Sequence, residues 1–179
     1  MRAKRTLLVI ACLFTLPAVH ADWVPNTDDP EQVKAKTALE QLLEKRTEAQ
    51  EFFDQAYGYA VFPSVKRFGA VFGFAWGGGI VVQDDQHLGT CSQFVVDLGP
   101  QLGAQVYSQV IFFKDAQALE TFQEGRFEFQ GRASGVFLIW GGASEPSYLP
   151  DVAIFSLTKG GLMFEAAAGP AKFGYKPIY

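Results

Sequence analysis

Residues 56–82 read AYGYAVFPSVKRFGAVFGFAWGGGIVV, and from Phe68 onward the side chains alternate by size. Phe68, Ala70, Phe72, Phe74 and Trp76 take one parity; Gly69, Val71, Gly73, Ala75 and Gly77 take the other. Successive side chains of a strand point to opposite faces. The pattern therefore predicts a strand with one bulky face and one nearly bare face. A bare face lets another backbone or a ligand come close. Gly69, Gly73 and Gly77 also fit the small-xxx-small spacing of paired membrane helices. Phe68 to Val82 holds only fifteen uncharged residues after Lys66-Arg67, however, short of the ~20 that cross a bilayer, and a period of two belongs to a strand. The bare face reads as a packing surface inside the domain. The functional candidates then fall where the strand begins, at Lys66, Arg67 and Phe68.

The elements on either side follow from local signals. Asp29-Pro30-Glu31-Gln32 predicts a helix start, with Asp29 as cap, Pro30 at the first helical position and Gln32 reaching back to the cap amide. Apolar residues from Val33 to Ala49 recur at helical spacing. The helix is expected to break near Glu48–Glu51, before a short second helix carrying Phe52, Phe53 and Ala56. Beyond Gly58 the pattern is β. A short strand Tyr59–Phe62 is interrupted by Pro63, and the alternating strand runs from Phe68 to Trp76. Gly77-Gly78-Gly79 is read as a bend, Asp84–His87 as a turn, and Phe94–Leu98 and Leu102–Phe113 as strands. Asp115 caps a mid-chain helix that Gly125 ends. Phe127–Gln130 and Val136–Trp140 are further strands. Val152–Leu157 and Leu162–Ala168 are read as a hairpin turning at Thr158–Gly161.

Residues 1–21 have the form of a secretory signal peptide: a basic start (Arg2, Lys4, Arg5), an apolar run, and Val19-His20-Ala21 before Asp22. Lipidation at Cys12 is the alternative. Residues 22–179 then form a single domain long enough for a real core. Three of the fifteen basic residues lie in the leader and none of the nineteen acidic ones does, which leaves a formal charge of −7. A nucleic-acid partner is not expected at that charge. Cys91 remains as the lone cysteine and is expected to be buried, with no disulfide.

Few groups can carry catalysis. His87 is the one histidine after the leader, lies in a polar turn, and comes with no nucleophile elbow. One cysteine and one histidine do not make a zinc set, and Gly77–Gly79 lacks the Lys-Ser/Thr pair of a phosphate-binding loop. No enzyme activity, metal or cofactor is expected. Cationic residues beside aromatics suit anionic lipid headgroups. That description fits Lys66 and Arg67 beside Phe68. It also fits Lys159, which precedes two glycines whose amides can form an anion nest.

Three segments together resemble the SYLF domain family: residues 56–79, residues 99–122 (GPQLGAQ through the Ala118–Phe122 segment), and residues 152–169, VAIFSLTKGGLMFEAAAG. The resemblance implies an α+β domain, a curved antiparallel sheet or small barrel with N-terminal helices and one mid-chain helix packed around it. It implies phospholipid binding without a reaction, through basic residues and an amphipathic N-terminal segment. By position these are Lys66, Arg67 and Lys159, with Lys34, Lys36, Lys45 and Arg46 on the first helix. Eukaryotic members are also described as actin-binding, but no actin partner is expected for an exported chain. The expected function is therefore an exported, periplasmic lipid-binding protein, peripheral on the envelope membrane. The alternatives are a small outer-membrane β-barrel and a protein-binding structural module of the envelope.

Overall fold

The computed structural model describes residues 23–70, 72–98, 101–125, 151–165 and 171–178. Helix α1, Pro30–Lys45, starts where its sequence requires: the Asp29 carboxylate accepts a bond from the Glu31 amide at 3.0 Å. Gln32 does not reach the cap amide. Its Nε2 donates to Asp29 Oδ2 and its Oε1 accepts from the Asn26 amide, so it clamps the segment before the helix. Burial acts to raise the pKa of Asp29, but hydrogen bonds from Glu31 and Gln32 outweigh it and hold the carboxyl below its ordinary value. Helix α2 is Glu48–Gln55, and helix α3 is Ala116–Gln123, where Asp115 accepts from the Ala118 amide and Gly125 follows at φ +65.

Six antiparallel strands form one sheet: β1 Gly58–Gly69, β2 Phe72–Gln83, β3 Gln86–Leu98, β4 Gln101–Phe113, β5 Val152–Glu165 and β6 Ala171–Pro177. Their order is β5-β4-β1-β2-β3-β6. Among the described residues the sheet is open, with β5 and β6 at its edges, so the chain is an α+β fold on a curved antiparallel sheet. The curvature has a simple cause. Leu98 and Gln101 are three residue steps apart, a reach of at most about 11 Å. They end and begin strands that β1 and β2 separate, about 14 Å apart in a flat sheet. The strands converge at that end.

The expected single strand Phe68–Trp76 is the tip of the β1–β2 hairpin. The chain reverses near Ala70, and Phe68 pairs with Phe74 and Gly69 with Gly73. The size alternation survives the reversal because the pairing joins residues of like parity. Nor does Pro63 end a strand, or Gly77–Gly79 bend one. β1 continues through a β-bulge in which Phe62 and Pro63 stand opposite Gly79 alone. A Cβ on Gly79 would lie 2.2 Å from the Val61 carbonyl oxygen and 3.0 Å from the Phe62 ring. The glycine is there because backbone occupies the space a side chain would need.

The predicted hairpin at Thr158–Gly161 is also absent. β5 pairs with β4 along its whole length, and Lys159 is the extra residue of a bulge between Thr158 and Gly160. The expected strands Phe127–Gln130 and Val136–Trp140 lie outside the described residues. The expected turn Asp84–His87 narrows to Asp84–Asp85, both with positive φ, because Gln86 and His87 pair with Gln83 and Val82 at the start of β3.

Two apolar clusters flank the sheet. On one face α1, α2 and Trp23 pack on Tyr59, Val61, Ile80, Val82, Val110 and Phe112. On the other, α3 packs Leu119 and Phe122 over Phe62, Val65, Ile111, Phe113 and Phe173.

Gly79→Ala is expected to cost about 2 kcal/mol or more through forced backbone displacement. Gly78→Ala, whose Cβ would meet nothing closer than 4.0 Å, should stay within about 0.5 kcal/mol. Urea denaturation of the two variants checks the contrast. Asp29→Ala should lose about 1 kcal/mol at neutral pH. A carboxyl with a depressed folded pKa stabilises above its unfolded pKa and loses that effect as pH falls through the folded value. The gap between Asp29→Ala and wild type should therefore close below about pH 4.

Candidate functional site: a half-covered sheet face

The bulge at Phe62–Pro63 decides which side chains meet solvent. Before it, the odd residues Tyr59 and Val61 face the α1 side of the sheet; after it, Ser64, Lys66 and Phe68 do. Helices α1 and α2 cover one half of this face. Over the other half, toward the β1–β2 tip, the described residues place no helix, and that half is bare. It carries Leu102 (69 % exposed), Phe72 (58 %), Phe68 (56 %), Trp76 (47 %), Phe94 (47 %) and Phe74 (42 %). Half-exposed aromatics of roughly 150–250 Å² each make an apolar patch on the order of 500 Å². That is at the upper end of what a monomer shows without a partner.

The register orders the patch into rows. One row crosses the sheet as Val106, Lys66, Trp76, Phe94 and Lys172; the next, nearer the tip, as Ala104, Phe68, Phe74 and Val96. The Phe74 and Phe94 ring centroids are 6.4 Å apart. Lys66 and Lys172 are both exposed and bracket Trp76 and Phe94. Lys176 lies on the same face of β6. Among the described residues, no aspartate or glutamate occupies a position on the bare half of this face, in a chain whose formal charge is −4.

The opposite face is inverted in character. Arg67, Gln93, Gln105 and Gln109 are buried there, beside the bare residues Gly73 and Ala75. Gln105 Nε2 donates to Thr158 Oγ1 at 2.9 Å, while Gln93 Nε2 and Gln109 Oε1 have no partner among the described residues. Cys91 is buried on this face too, as expected, and its burial pushes the thiol pKa far up. Among the described residues, no three His, Cys, Asp or Glu side chains are grouped to hold a metal.

Of the four candidates read from the sequence, the structure brings Lys66 and Phe68 together. Arg67 is 4 % exposed and points the other way, so it is not a surface contact: a strand cannot present adjacent residues on one face. Lys159 is exposed but sits on edge strand β5, two strands from Lys66, in a bulge rather than a glycine turn. The helix candidates are set apart as well. Lys34 pairs with Glu31 at 2.7 Å, Lys36 with Glu40 at 3.7 Å and Arg46 with Glu48 at 3.3 Å. The apolar side of α1 is already used against the sheet. Sequence reasoning missed Trp76, Phe74, Phe94, Leu102 and Lys172. For Phe74 and Trp76 the signal was the bulky parity opposite the bare packing face; Phe94, Leu102 and Lys172 join them only through strand pairing.

No family model matches the chain. The chain is 29 % identical over 140 residues to Beta cell expansion factor A of Aeromonas veronii, a match covering 78 % of this chain and 53 % of that protein. The chain thus spans about half the length of that curated relative.

Lys66→Ala is expected to leave stability within about 0.5 kcal/mol, whereas Arg67→Ala should cost about 2 kcal/mol, because its buried stem and head both lose their surroundings. Thermal unfolding of the two neighbours reads the difference.

Proposed function

We propose that this protein binds phospholipid membrane surfaces without catalysing a reaction, and that it does so through the bare half of the sheet. The observation that carries the reading is the contiguous patch of Phe68, Phe72, Phe74, Trp76, Phe94 and Leu102, bracketed by Lys66 and Lys172 and, among the described residues, free of acidic positions. Aromatic rings beside lysines suit the boundary between headgroups and acyl chains. The resemblance to SYLF domains supports the same chemistry, as does the leader-like start of the chain, which implies an exported, envelope-associated protein. The two terms differ in size. Burying about 500 Å² of apolar surface yields on the order of 12 kcal/mol before the costs of association. Two lysines near an anionic surface contribute about 1 kcal/mol each. The rings retain the protein; the lysines select the surface.

A membrane-spanning barrel is favoured by one observation, the pairing of aromatics outside with buried polar residues inside. Length argues against it. The bare half is about five residues deep on β2, from Phe72 to Trp76, where a spanning strand needs about 9–11. No described helix is long and apolar enough to cross a membrane.

Co-sedimentation with vesicles of phosphatidylcholine, with and without phosphatidylglycerol, tests the reading. The protein should pellet with both and more strongly with the anionic ones. The Phe74→Ser/Trp76→Ser variant should lose most binding to either. Lys66→Ala/Lys172→Ala should lose about ten- to thirtyfold on anionic vesicles at low salt. A folded wild-type protein that stays in the supernatant with every vesicle would sink the proposal and leave the patch to a protein partner.

A further inference from the structure

Resting on that lipid-binding reading, we infer that the sheet enters one leaflet obliquely, β1–β2 tip first. The Lys66–Trp76–Phe94–Lys172 row stays at headgroup level, and α1 and α2 remain in water. Three features of the fold converge on this posture.

The first is the helix layer. α1 and α2 lie on the same face as the patch, packed over Ile80, Val82, Val110 and Phe112, which continue the strands that carry Trp76 and Leu102. A helix with its side chains is about 10 Å thick. A membrane laid flat on the patch would strike that layer before reaching the rings. Tilting the tip downward removes the collision.

The second is the order of side chains along the strands. The charged and indole-bearing row is farther from the tip; Phe68, Phe72 and Leu102, the three most exposed apolar members, are nearer to it. Tryptophan and lysine belong at the membrane–water boundary, and plain hydrocarbon side chains belong below it. The sequence of residue types from Trp76 down to Phe72 is the sequence of layers met on going into a leaflet.

The third is depth. Trp76 and Phe72 are four residues apart, about 13 Å along a strand, and about 9 Å in depth at a tilt near 45°. A single leaflet offers roughly 15 Å of hydrocarbon, so the tip is accommodated without crossing the midplane.

Depth-dependent fluorescence quenching tests the posture. Two single-tryptophan proteins are made in a Trp23→Phe/Trp140→Phe background. One keeps Trp76; the other carries Phe72→Trp with Trp76→Phe. Each is bound to phosphatidylcholine/phosphatidylglycerol vesicles brominated at either the 6,7 or the 11,12 acyl positions, with co-sedimentation measured in parallel. The tryptophan at 72 should be quenched more by the deep bromines and the one at 76 more by the shallow ones. Equal depth profiles, or a deeper Trp76, in protein that pellets would overturn the tilted insertion and leave lipid binding standing. Absence from the pellet would overturn both. Amide hydrogen exchange on the unaltered protein gives a second reading that needs no variant. Vesicles should slow exchange around the β1–β2 tip and leave residues 30–55 unchanged; slowing over α1 would count against the posture.

Discussion

The bulge of Phe62 and Pro63 against Gly79 governs everything on the far half of the sheet. A one-residue insertion in a strand exchanges its two faces from that point on. Without it, β1 would carry Arg67 outward and drive Lys66 and Phe68 into the core. With it, the buried positions continue from Phe62 to Val65, Arg67 and Gly69, and the exposed ones become Ser64, Lys66 and Phe68. The exchange is possible because proline leaves its ladder position without a donor and because Gly79 has no Cβ to meet the Val61 carbonyl. These features, which in isolation look like a strand break and a bend, are two halves of one device that keeps a long strand paired while turning it over.

The device has an energetic logic. On the near half, α1 and α2 cover the sheet with Leu39, Leu42, Phe52 and their neighbours, and the aromatic rows there form ordinary core, with Phe52 and Phe155 centroids 5.3 Å apart. On the far half the same face continues with equally apolar residues and, among the described residues, no helix above them. Leaving six large apolar side chains in water forfeits the stabilisation that their burial would give. The polar groups meanwhile go inside, where Gln93 and Gln109 keep atoms without partners among the described residues, at a further cost. A fold that meets both costs in one region is arranged around something other than its own stability.

Much of the framework was legible in the sequence. Asp29-Pro30 and Asp115 fixed two helix starts, the Asp84-Asp85 turn placed the β2–β3 hairpin, and the bare parity of Gly69 and Gly73 was a packing surface, as glycine and alanine between aromatics suggested. What was not legible were the relations that depend on a partner strand. Alternation reads the same through a hairpin as along a single strand, so the reversal near Ala70 was hidden. Lys159-Gly160-Gly161 has turn chemistry, yet thirteen residues of β4 pair across it and outweigh that local preference. Lys66 and Arg67 are neighbours in the chain and look like one basic cluster, but a strand separates neighbours onto opposite faces. Lys172, more than a hundred residues from Lys66 in the chain, joins its row only because β6 pairs with β3.

The same geometry explains how a chain of net negative charge would select an anionic surface. At physiological ionic strength charges are screened beyond about 8 Å, so the global charge acts weakly at a distance and the local composition decides at contact. A face with acidic residues would meet repulsion and lose water from its carboxylates on approach. On the proposed lipid-binding reading, the bare half presents Lys66 and Lys172 with no acid among its described residues, so repulsion elsewhere would act as an orienting force: most approaches would be turned away and this one retained. Attraction by so few lysines is too small to hold a protein by itself. Because the same rows carry Trp76, Phe94 and Phe74, the orientation that electrostatics admits is also the one in which the apolar term, several times larger, begins to act.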